Sequence, residues 1–101
     1  MRLMPRPALL ERPRVDQWLL SHPGWAREGD AAITKRFTFA DFSAALAFAV
    51  RVGLAAEKHD HHPDLTLGWG YATARWSTHD AGGVTDLDLQ LADICDGVAS
   101  R

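Results

Sequence analysis

Residues 41–63 read DFSAALAFAVRVGLAAEKHDHHP. From Phe42 the stretch is free of proline and rich in alanine, and Phe42, Leu46, Ala49, Val52 and Ala56 recur at three- and four-residue spacings. That period predicts one face of an α-helix running to about Lys58. Pro63 then ends it, because a proline ring disfavours the α region for the residue before it, here His62. The helix must stop within or just before a cluster holding three of the chain's five histidines, His59, His61 and His62. Those imidazoles therefore sit where a helix hands over to a strand.

On the N-terminal side, Pro13 suits a first helical turn, and Val15, Trp18 and Leu19 give a short helix that Ser21-His22-Pro23-Gly24 terminates. Trp25–Glu28 and Ala31–Thr38 flank the turn pair Gly29-Asp30. Ile33, Lys35, Phe37 and Phe39 follow one side of the second segment, and Thr34, Arg36 and Thr38 the other, so a β-hairpin is expected. After the histidines, Leu65–Trp69 and Tyr71–Thr78 read as a second hairpin around Gly68–Gly70. Thr85 stands three residues before Asp88 and opens a helix whose stripe is Leu87, Leu91, Ile94 and Val98. A capping box is plausible there, with Asp86 and Asp88 in the first turn, where the helix dipole favours acids. The expected fold is α+β: a four-stranded antiparallel sheet with three helices packed on one face, in the order α-β-β-α-β-β-α.

The chain has 101 residues, enough for one domain and one core, expected over residues 13–101 behind a flexible arm at 1–12. A formal charge of −2 and a pI near 6.2 give no electrostatic footprint for nucleic acid. The arginines at 2, 6, 12 and 14 are spread among prolines and read as a solvated arm. The single cysteine, Cys95, falls on the apolar side of the last helix and reads as a small buried hydrophobe. With one cysteine no intramolecular disulfide can form. No apolar run approaches a membrane span and no secretory signal is visible, so a cytoplasmic protein is expected.

His79 follows the fourth predicted strand in Ser77-Thr78-His79-Asp80. Close pairing of the second hairpin would bring it to the end of the sheet that holds His61 and His62, putting three imidazoles around one mouth. Imidazole moves protons near neutral pH and also binds metals. Three imidazoles with Asp60 or Asp80 would supply enough ligands for zinc, although the spacing matches no recurring zinc signature. His59 reads as a solvated cation at a helix end and His22 as a surface or capping residue.

Taken together, Glu57, His61-His62-Pro63, the aromatic Trp69, His79 within Thr-His-Asp, and Asp88 resemble the signature of the pterin-4a-carbinolamine dehydratases. The resemblance extends to Pro23-Gly24-Trp25, to Arg36–Phe42 and to Ala81-Gly82-Gly83, covering roughly residues 15–99. Gly70, Ala72 and Trp76 depart from residues common in the family, all within the hairpin and its packing. The resemblance implies a lyase that removes water from 4a-hydroxytetrahydropterin to give quinonoid dihydropterin, in tetrahydrobiopterin recycling. No metal and no cofactor would be needed, because side chains titrating near the working pH can supply and take the protons. It implies His62 and His79 as the first candidates for proton transfer, with His61 as acid or substrate orienter. Glu57, Pro63, Thr78, Asp80, Ala81 and Asp88 would bind substrate, Glu57 by holding an imidazole and Asp88 either at the site or as a helix cap. It also implies a homodimer or homotetramer, formed by pairing of sheet edges, and a functional link to an aromatic amino acid hydroxylase. The alternative is a non-enzymatic relative acting as an assembly or dimerisation partner.

Overall fold

Seven elements form in the expected order: α1 (Arg12–Leu20), β1 (Ala26–Glu28), β2 (Ala32–Thr38), α2 (Phe42–Lys58), β3 (Asp64–Gly68), β4 (Tyr71–Trp76) and α3 (Asp86–Ala99). They are those of a computed structural model, which describes residues 7–101. The first half of the expected arm, residues 1–6, lies outside the described residues. By Leu10 the backbone is docked, its N–H bonded to the Val84 carbonyl at 2.9 Å. Arg12 already belongs to α1, and its guanidinium grips Asp30 at 2.8 and 3.0 Å.

The four strands make one antiparallel sheet in the order β1-β2-β4-β3, which leaves β1 and β3 at the edges. Alternation decides the faces. Ile33, Phe37, Ala72, Ala74 and Trp76 point inward and are buried, whereas Thr34, Arg36, Thr73 and Arg75 occupy the other face. α2 and α3 pack on the inner face around Phe48, Val52, Leu91 and Cys95. Burying a side chain such as Phe48 or Ile33 stabilises by about 1.5–3 kcal/mol. The Phe37 and Phe48 rings meet with centroids 4.6 Å apart, tying the first hairpin to α2. Trp25 is a core residue, buried, with its indole N–H on Asp96 at 3.0 Å.

Two details differ from the sequence reading. The buried face of α2 is Ala45, Phe48, Ala49, Val52 and Ala56, while Phe42, Leu46, Val50 and Leu54 stand out from the protein, between 44% and 68% exposed. The helix carries apolar residues on nearly every side, so its period establishes a helix without saying which side is covered. Trp69 is also no strand residue. It forms a two-residue turn with Gly70 and is exposed, and Gly70 takes φ +79°, the left-handed conformation that a side chain resists.

That turn sets the register of the second hairpin, from Gly68 opposite Tyr71 to Asp64 opposite Arg75. Continued past Asp64, the same register brings His62 level with Ser77 and His61 level with Thr78. The helix end and the strand end thus converge on one corner of the sheet.

Candidate active site

α2 ends in a way that aims the histidines. His59 caps it, with its ring Nδ1 at 2.8 Å from the Ala55 carbonyl, so this imidazole serves the helix. Asp60 follows with φ +50°, and the next two amides turn back onto the last turn: Asp60 N–H bonds Glu57 O at 3.2 Å and His61 N–H bonds Ala56 O at 3.1 Å. This pair of bonds is the Schellman closure, normally built on glycine; aspartate is among the few other residues that tolerate it. The reversal swings His61 under the sheet end and leaves His62 outside.

His61 is only 12% exposed, lies parallel to Trp76 at a centroid distance of 5.8 Å, and places Nε2 2.6 Å from Asp88 Oδ1. A carboxylate only accepts, so Nε2 carries the hydrogen, leaving Nδ1 as the ring's second site. Asp88, expected either among the substrate contacts or as a helix cap, is fully buried and touches two residues that line the cleft, His61 and Thr78. Its second oxygen accepts from the Thr78 hydroxyl at 2.7 Å and the Thr85 N–H at 2.9 Å, and the Thr78 and Thr85 hydroxyls meet at 2.8 Å. The same Thr85 N–H bond is half of the predicted capping box. One buried carboxylate therefore starts α3, fixes Thr78 at the end of β4 and orients His61.

His62 is 56% exposed, with Nε2 2.6 Å from Glu57 Oε1, so Glu57 does hold an imidazole. His79 opens a short 3-10 turn over His79–Ala81, which the Thr78–Gly83 bridge and the left-handed Gly82 close. Among the described residues nothing hydrogen-bonds the His79 ring.

The three rings surround one cleft with two lobes. A lobe of about 260 Å³ is lined by Asp60, His61, His62, Ser77, Thr78, His79 and Asp80. A second, of about 360 Å³, is lined by His62, Asp64, Arg75, Ser77 and His79. His62, Ser77 and His79 belong to both and form the waist. Pro63 and Ala81 flank lining residues without lining the cleft themselves. Among the described residues no group of three His, Cys, Asp and Glu side chains converges as metal ligands. Another cavity, of about 310 Å³ under Leu9, Leu10 and Val15, contains no imidazole.

The sequence reading passed over Asp64, Arg75 and Ser77. Their signal lay in the hairpin register, which sets Asp64 across from Arg75. Arg75 Nε and Nη2 donate to the two oxygens of Glu28 at 2.9 and 3.2 Å, and Nη1 donates to Asp64 at 3.1 Å. The Arg75 guanidinium holds the Glu28 carboxyl below its usual range, and Glu28 in turn raises Arg75. His22 lies away from this corner, stacked on Trp18 with Nε2 on Asp93 at 2.7 Å and Nδ1 on the Trp18 carbonyl at the end of α1.

Residues 8–98 match the model of the family described as Pterin 4 alpha carbinolamine dehydratase. The chain belongs to that family. The Rhizorhabdus wittichii protein named for this dehydratase is 46% identical over 92 residues, which is 90% of this chain and 94% of that one. A Thermosynechococcus vestitus protein of the same name is 39% identical over 85 residues, covering 84% and 88%. Among solved structures, the transcriptional coactivator/pterin dehydratase from Brucella melitensis superposes with a TM-score of 0.83 at 35% identity, covering 89% of this chain and 97% of that one. A pterin dehydratase-like protein identified as a RuBisCO assembly factor in the alpha-carboxysome shares the fold, with TM-score 0.66 at 21% identity over 79% of this chain and 94% of that one.

Proposed function

We propose that this chain dehydrates 4a-hydroxytetrahydropterin to quinonoid dihydropterin and water, by histidine acid-base catalysis, as a step of pterin recycling. The observation that carries the reading is the arrangement of three imidazoles around one cleft: two with Nε2 on a carboxylate at 2.6 Å and a third with no ring partner among the described residues. The reaction protonates the hydroxyl leaving the ring carbon and removes the proton on the adjacent ring nitrogen. The C–O bond breaks, a C=N bond forms, and no electrons enter or leave. Groups that titrate near neutral pH suit both transfers and contribute about 10²–10⁴-fold. His62 and His79 take these roles because they stand at the waist of the cleft; His61, mostly buried and tied to Asp88, orients the substrate. Asp60, Thr78 and Asp80 present backbone and side-chain polar atoms to a planar, donor-rich ring in the smaller lobe.

The same reading includes self-association and a cytoplasmic setting. No helix among the described residues is long and apolar enough to cross a membrane. The uncovered row Phe42, Leu46, Val50 and Leu54 offers an apolar face for a second copy, besides the sheet edges. That row also suits the alternative, a non-enzymatic assembly partner.

The deciding experiment couples the purified protein to a hydroxylase that generates the 4a-hydroxy substrate and follows its decay. It compares untreated protein, EDTA-treated protein, and the His62→Ala and His79→Ala variants. Rapid decay that survives EDTA and collapses in both variants is expected. Folded protein that leaves the rate at that of buffer would overturn the proposal in favour of the assembly role.

A further inference from the structure

Among the described residues the His61 ring has one hydrogen-bond partner, Asp88, and that tether leaves the plane of the ring weakly determined. The imidazole turns about its Cβ–Cγ bond, a torsion with broad wells. Nε2 lies nearer the axis of that bond than Nδ1 does, so a swing of the ring moves Nδ1 farther while Nε2 stays within reach of the Asp88 oxygen. That oxygen accepts over a wide range of directions. A second restraint comes from Trp76, which closes β4 on the inner face of the sheet and is 1% exposed. Its indole lies beside the imidazole with 5.8 Å between centroids and 19° between planes, an offset stack. The indole is itself fixed, because its N–H donates to Cys95 Sγ at 3.3 Å on α3. A buried indole N–H needs such a partner, and a thiol sulfur, though a weak acceptor, supplies it without adding a charge. α3 thus reaches His61 twice, through Asp88 at the ring's tip and through Cys95 and Trp76 at its face. Neither Trp76 nor Cys95 lines either lobe of the cleft.

We propose that Trp76 is a positioning residue for the dehydration, an indole wall that sets the plane of the His61 ring and with it the direction of Nδ1, and that the Cys95 thiol keeps this wall from turning. The inference rests on the dehydratase reading, in which His61 orients the substrate, and assigns the control of that orientation to a residue outside the cleft. Core packing alone asks only for apolar volume at position 76, whereas orientation asks for a flat face. Phenylalanine keeps the face and loses the N–H, and leucine loses both, so the two roles part company in these variants.

The test compares the parent protein with Trp76→Leu, Trp76→Phe and Cys95→Ala, each checked for folding by circular dichroism. Proton NMR follows exchange of the His61 Nε2 hydrogen with water, and the hydroxylase-coupled assay gives kcat and KM. In Trp76→Leu that hydrogen should exchange about tenfold faster than in the parent. Because a misaligned substrate still binds, kcat should fall about tenfold while KM moves by less than about threefold. Trp76→Phe should bring both readouts back to within about threefold of the parent. Cys95→Ala keeps the indole and removes its acceptor, so it should move both readouts the same way as Trp76→Leu by a smaller factor, and it decides the matter if Trp76→Leu does not fold. A folded Trp76→Leu with parental exchange and kcat would overturn the proposal, as would a Trp76→Phe no better than Trp76→Leu, or parental values in Cys95→Ala where Trp76→Leu does not fold. No turnover by the parent would overturn the dehydratase reading and the role in dehydration with it, while the exchange rates still show whether the indole fixes the ring.

Discussion

Replacing Asp88 with asparagine tests the construction of the site most sharply, because a single buried carboxylate serves three masters. Its Oδ2 accepts from Thr78 and Thr85, and its Oδ1 accepts from His61 at 2.6 Å. Asparagine keeps the shape and one acceptor. The two threonine donors compete for that oxygen, so the amide nitrogen is left facing His61 and must donate. His61 then has to accept at Nε2, and its proton moves to Nδ1. The stability cost is the loss of charge-assisted hydrogen bonds with the partners still satisfied, about 1–2 kcal/mol. For a domain of this size that lowers the melting temperature by about 5–15 °C. Asp88→Ala is worse, about 3–5 kcal/mol, because it leaves buried donors unpaired and removes the helix cap. Nitrogen-resolved NMR of the His61 ring reads the tautomer whether or not the chain is catalytic. Dehydration by Asp88→Asn should fall about 10²-fold at a temperature where the variant is folded. A folded Asp88→Asn protein with the hydrogen still on Nε2 and an unchanged rate would refute the orientation argument.

Three further outcomes follow from the geometry. Glu57→Gln should leave stability within about 0.5 kcal/mol of the parent, because the pair with His62 is exposed, while lowering the dehydration rate; urea titration beside the rate assay checks this, and a collapse in stability would contradict it. Burial pushes the Cys95 thiol up from 9.0 to about 12, so at pH 8 its thiolate population is roughly 10³-fold lower than in the unfolded chain. Alkylation should accordingly track unfolding, and labelling of native protein within minutes would count against the packing. The sign follows: the folded thiol keeps its proton longer, so this contribution is complete below about pH 9 and is lost as pH rises toward 12. Leu54→Glu places a charge in the exposed α2 row and should convert a self-associated protein to monomer by sedimentation; a parent that is already monomeric removes the second copy as the row's partner.

What the sequence disclosed depended on how local the physics was. The end of α2 was legible because Pro63 acts on its immediate neighbour, and the start of α3 because a capping box spans only Thr85 to Asp88. The buried side of α2 was not, since Phe42, Leu46, Val50 and Leu54 are as apolar as Phe48 and Val52. Convergence of His61, His62 and His79 was legible from the hairpin alone. Arg75 and Asp64 escaped notice because their meeting depends on Trp69 and Gly70 being turn rather than strand, and a one-residue slip there sends each side chain to the opposite face. Asp88 was seen as both a possible cap and a possible site residue; that it is a cap acting on the site through His61 required α3 and the end of β4 to be placed in three dimensions.

The two carboxylate–imidazole pairs have the same 2.6 Å separation and different consequences. Asp88 is fully buried and each of its donors belongs to the protein, so moving His61 would strand a buried carboxylate, and the ring is held in place. Around Glu57 both side chains are mostly exposed, at 78% and 56%, and solvent replaces whatever the pair gives up when His62 turns. A group that must collect a proton at one atom and leave it at another gains from that freedom, whereas a group that only fixes the ring's position gains from rigidity. Under the proposed reaction, this asymmetry makes His62 the mobile proton carrier and His61 the fixed wall.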